Sequence, residues 1–275
     1  MAKVVRGIGA ERPEDPEPLS APPVPQNPKP PVSSRPPVVT TLADYIQLDT
    51  ISCVDAHGTV FEHYDKIFVR KDIERHADKR PKNFTPYADA VYFEQQGLFL
   101  PSFALSCNIL AALYQHKSDP AVQSVLMQYK DKGNGQGWHA QNTLIDFEHE
   151  RILHYPTKDD FAQLANVNSS RPRATLPFFK ATLHNSLLDE TLGHPAFARY
   201  VKQLTGLQNP SVLLDIGKYF EKPVHLWFPG GSQANTAFTE KRAAWLGCSR
   251  VSFSLDSDHY LNYTGAARGV RLEAP

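Results

Sequence analysis

Residues 100–114, LPSFALSCNILAALY, and residues 137–156, GWHAQNTLIDFEHERILHYP, decide how the rest of this chain is read. The first places Cys107 ahead of Ile109, Leu110, Ala112 and Leu113, a spacing that predicts a helix over roughly 104–116. The second predicts a hairpin over 140–154, with His139 opening its first strand and His154 closing its second. A thiol at a helix N-terminus meets unpaired N–H groups and the positive end of the helix dipole, both of which favour thiolate. Cys107 is therefore the candidate nucleophile and His139 the candidate base.

Working outward, TLADYIQLDT (41–50) carries Thr41 and Asp44, residue types suited to a helix N-terminus, and residues 51–70 read as a hairpin around Ala56-His57-Gly58. TPYADAVYFEQQG is a helix with Thr85 as N-cap and Gly97 as its stop, and Asp119-Pro120 starts another through Val122, Val125, Leu126 and Tyr129. Beyond residue 173, helices are expected at SLLDETL, HPAFARYVKQLTG and NPSVLLDIGKYF. A strand VHLWF, a turn PGGSQ, a helix TAFTEKRAAWLG and a strand near 250–255 follow. The fold class expected is α+β, a mostly antiparallel sheet with helices packed on one side, in a single domain over residues 40–275.

Nearly half of the 23 prolines precede Val39, in a stretch almost without aromatics. Such a stretch buries too little surface to offset its ordering entropy, so residues 1–39 are expected to be a disordered, extended tail. The tail reads first as a plain tether; its PPVPQNPKPP run also suits a polyproline-binding groove, so a protein partner through the tail or through an apolar patch is the second expectation. Lys+Arg and Asp+Glu are both 29, giving a net charge of +0, so there is no global field to hold nucleic acid or an anionic membrane. The three cysteines are widely spaced, which argues against a disulfide framework or a zinc finger. No apolar h-region opens the chain and no apolar run reaches spanning length, so a soluble cytoplasmic or virion-associated protein without a signal peptide is expected. His57, His63 and Asp65 read as surface groups, and Asp256, Asp258 and Asn262 lack the glycine and terminal glutamate of a calcium loop. No metal is expected.

The order of cysteine at a helix start, histidine at a strand start and polar residue on the return strand resembles the papain-like superfamily. Within it, the NlpC-type peptidases carry a Cys-His-His triad. Their D-C-S-G motif is matched by Ser106-Cys107-Asn108-Ile109, with Ser106 in place of Asp and Ile109 in place of Gly. Their strand pair is matched by HAQNTLIDF and by the ending Ile152-Leu153-His154-Tyr155. The resemblance covers residues 101–156 and implies a thiol-dependent amide or peptide hydrolase without a cofactor. Cys107 would attack, His139 would move the proton, and His154, or alternatively Asn142 or Asp146, would orient the imidazole. The competing expectation is a non-catalytic structural, assembly or protein-binding protein, because cysteine is also a small hydrophobe that suits helix-packing positions.

Overall fold

The computed structural model describes residues 37–78, 81–83, 85–131, 137–157, 159–160, 171, 173–180, 183–229 and 239–275. Nearly all of the proline-rich tail, most of the PGGSQ turn and most of the glycine loop before Gly137 lie outside these residues. The class is α+β, as the sequence indicates: six helices and two sheets are described.

A 13-residue helix, α2 (Phe103–Gln115), holds the centre. It is buried on every side from Phe103 to Leu113 apart from Asn108, the pattern of a helix with no solvent face. One side meets the hairpin β2 (Tyr45–Val54) and β3 (Val60–Arg70), and another meets β4 (His139–Asp146) and β9 (Lys241–Cys248). Three helices flank it: α3 (Pro120–Lys130), α5 (Pro195–Thr205) and α6 (Val212–Tyr219).

The smaller sheet is ordered β1-β2-β3-β11, where β1 is Val39–Thr41 and β11 is Val270–Arg271; all its pairs are antiparallel. Along β2 the inward residues are Ile46 and Leu48, then Ile51 and Cys53. The alternation slips by one at Thr50, whose φ of 59° bends the strand at a position β-branched residues seldom occupy. The expected helix at 41–50 is thus a strand, because this period-2 pattern outweighs the capping residues Thr41 and Asp44. Val39 already pairs with Leu48, so the sheet begins just before the expected domain boundary.

The larger sheet is ordered β6-β5-β4-β9-β10-β8-β7. Its remaining members are β5 (Arg151–His154), β6 (Ala174–Pro177), β7 (Ser186–Leu187), β8 (Val224–Trp227) and β10 (Phe253–His259). Every pair is antiparallel except β8 with β10. Two short helices, α1 (Pro86–Gln95) and α4 (Leu188–Thr191), complete the described elements. Where TAFTEKRAAWLG suggests a helix, residues 241–248 form central strand β9, buried from Arg242 onward. Its small residues are imposed by neighbours: a Cβ on Gly247 would stand 1.9 Å from the Gly137 carbonyl oxygen, so tertiary packing overrides the helix propensity of Ala243 and Ala244.

The helix starts follow capping chemistry. Asp119 accepts from the N–H groups of Ala121 (2.8 Å) and Val122 (3.3 Å), and these amides hold its carboxyl below the usual carboxylate range. Asp119→Ala is expected to lower stability by about 1 kcal/mol, read as a shift in the urea midpoint, while Asp119→Asn should retain most of it.

Candidate functional site

The N-cap of α2 is Ser102, whose Oγ accepts from the Leu105 N–H at 3.0 Å. Thr143, reaching over from β4, accepts the Phe103 N–H at 2.8 Å. The donors that would favour a thiolate are therefore occupied, and Cys107 sits a turn further in. Its side chain is 0% exposed, and burial pushes the thiol well above its ordinary pKa. Cys53 is raised in the same way, with the adjacent Glu62 charge adding to burial, and Cys248 is pushed up to about 12 by burial.

His139 is buried on β4. Its Nε2 lies 3.0 Å from the Gln128 carbonyl oxygen and its ring stands 4.5 Å from that of Tyr129. Cys107 and Tyr129 belong to one buried cluster, so thiol and imidazole share a neighbourhood. Among the described residues, however, Cys107 forms no hydrogen bond with either histidine. His154 is engaged elsewhere. Its Nε2 donates to the Gln203 carbonyl (2.9 Å), and its Nδ1 accepts from the Thr143 hydroxyl (3.0 Å). The ring stacks on Phe61 at 5.3 Å. Because the Gln203 carbonyl can only accept, the tautomer is fixed as Nε2–H. Burial lowers the His154 pKa from 6.5 to about 4, so the ring is neutral at physiological pH.

The geometry places the expected partners apart. His154 pairs in register with Thr143, four residues along β4 from His139, or roughly 13 Å. Asp146 is farther still, and its carboxylate is held by Arg151 (3.0 Å) and His149 (3.0 Å). It approaches Glu148 and His149 closely enough for a metal, but the Arg151 guanidinium already pairs with its carboxylate. Asn142 faces a cavity instead. Between Ala140 and Leu144, β4 slips by two residues against β9, so Gln141–Thr143 leave the ladder. The Asn142 N–H donates to the Pro101 carbonyl and its own carbonyl accepts from the Tyr155 N–H.

This bulge creates a buried polar network that hydrophobic patterning did not reveal. Glu62, 2% exposed on β3, accepts from the Tyr155 hydroxyl (2.7 Å) and the Ser102 hydroxyl (3.2 Å). Ser106 donates to the Gln141 carboxamide. Burial raises the Glu62 carboxyl, opposed by those hydroxyl bonds. The one readable sign was a glutamate where alternation along residues 60–70 calls for an inward residue.

Next to the network lies a cavity of about 330 Å³. Leu98 and Phe99, Glu94 of α1, Asn142, Arg171 and Arg271 of β11 line it. Elsewhere, the hairpin register sets Ser52 opposite His63, with Oγ 2.7 Å from Nδ1, and Nε2 lies 3.1 Å from Asp65. That order is similar to a charge relay, but the Asp65 side chain is 99% exposed, so water screens its charge. Asp256, considered for calcium, pairs with the His259 ring at 3.0 Å, which packs against Trp245 and Trp138. Among the described residues no helix is long and apolar enough to cross a membrane. Comparison with family models, curated proteins and solved structures gives no match.

Proposed function

We propose that the chain is a non-catalytic binding or assembly protein, with residues 1–36 as a tether and exposed apolar side chains such as Val251 and Phe179 as contacts. The observation that supports this most is the sealed Cys107 thiol. A nucleophile needs thiolate character and access, and burial removes both. The competing hydrolase reading through Cys107, His139 and His154 requires the sulfur to emerge and an imidazole to leave the Gln128 carbonyl.

Two measurements test the proposal. Under native conditions, iodoacetamide followed by peptide mass spectrometry is expected to modify Cys53, Cys107 and Cys248 slowly, and rapidly only in denaturant. Selective alkylation of Cys107 below neutral pH would instead favour the hydrolase. Light scattering of the full chain is expected to show self-association or a retained partner that weakens when residues 1–36 are deleted, a cut that leaves β1 intact. A lone monomer without a partner would count against assembly.

A further inference from the structure

Two polar groups lining the 330 Å³ cavity lack partners among the described residues. The Asn142 carboxamide forms no hydrogen bond there although the residue is only 9% exposed, its backbone being occupied by Pro101 and Tyr155. The Nε–H of Arg271 is buried and unbonded, its guanidinium lying 5.9 Å from the Tyr45 ring. Of the two, the Arg271 Nε–H is fully enclosed, where a donor is normally met by an acceptor, and the Asn142 amide is open to the cavity. Arg171 adds a second cation, its guanidinium 4.8 Å from the Phe99 ring, an arrangement that orients the planar fork.

Two carboxylates share the wall, Glu94, whose charge interacts with that of Arg171, and Glu273 at the exposed rim, so an anion would be met by the two guanidiniums and the Asn142 amide rather than by a net positive field. The rest of the wall is carbon, from Leu98, Phe99 and neighbouring leucines. The volume falls at the lower end of small-ligand clefts. We propose that this cavity binds a small organic oxyanion, a carboxylate or phosphate ester with an apolar body. Its charged end would meet Arg171, Arg271 and the Asn142 amide, and its carbon body would lie against Phe99 and Leu98. The proposal stands apart from the non-catalytic reading, since it involves none of Cys107, His139 and His154.

Titration of the full chain with benzoate, phenyl phosphate and neutral benzamide, followed by two-dimensional amide NMR, tests it. At least one anion is expected to give saturable shifts at residues 97–100 and 270–272, whereas benzamide gives none. Benzoate alone would assign a carboxylate ligand, phenyl phosphate alone a phosphate ester, and both the shared oxyanion chemistry. Arg271→Gln, a change at a chain-terminal strand, is expected to weaken binding about tenfold with the rest of the spectrum unchanged, and Arg171→Gln to do likewise. Absence of shifts with either anion at millimolar concentration, equal binding of benzamide, or undiminished binding by both variants would overturn the proposal.

Discussion

Replacing His154 with leucine is expected to lower stability by about 4 kcal/mol at neutral pH, among the largest single effects in the molecule. The substitution strands two buried groups, the Thr143 O–H, whose oxygen keeps only the Phe103 N–H, and the Gln203 carbonyl, and removes the stacking on Phe61. Each stranded group costs about 1–3 kcal/mol. The same residue sets an acid response. In the unfolded chain the imidazole takes up its proton near 6.5, but in the folded chain only near about 4. Between those values the unfolded state binds more protons, so the contribution is fully present above the upper value and is lost as pH falls toward the lower one. The full loss is about 3 kcal/mol. Urea unfolding from about pH 7 down to about pH 4.5 should show this slope in the wild type and a shallower one in His154→Leu. Equal midpoints for the two proteins at neutral pH would contradict the assignment.

Gly206→Ala is expected to cost about 3 kcal/mol, from two sources that add. Gly206 caps α5 with φ +61°, a conformation disfavoured for any residue with a Cβ. An added Cβ would also stand 2.8 Å from the Ala104 Cβ and 2.9 Å from the Cys53 Cβ, both in closely packed elements. The residue joins three elements at once, since its N–H donates to the Lys202 carbonyl and its carbonyl accepts from the Val54 N–H. A steric origin has a specific signature. Ala104→Gly combined with Gly206→Ala should recover part of the loss, giving a coupling free energy of about 1 kcal/mol in a double-mutant cycle. Strict additivity would leave backbone conformation as the whole cause.

The parts of the fold legible in sequence are those where local chemistry and global packing agree. The helices starting at Thr85-Pro86 and Asp119-Pro120 lie where capping and proline place them, and the hairpins at 51–70 and 140–154 follow their turns. The misread parts are those where the two conflict. Residues 41–50 carry capping residues in front of a period-2 pattern, and residues 241–248 carry helix formers in a strand buried on both faces, where periodicity is silent. The site was less legible. Cys107 and His139 do reach one neighbourhood, but burial is a property of the whole fold, so sequence order could not show that α2 is enclosed. Nor could it show that a slip in β4 turns Asn142 toward a cavity and binds Thr143 to His154. Arg171 and Arg271, a hundred positions apart, gave no local sign of a shared wall.

The non-catalytic reading depends on Cys107 being a packing residue, and its thiol ionisation is the most direct test. With selectively labelled cysteine, the Cys107 Cβ chemical shift in the native full chain is expected to stay at its thiol value through neutral pH and into alkaline solution. A step to thiolate at or below neutral pH, coupled to titration of an imidazole, would contradict the account and restore the hydrolase reading.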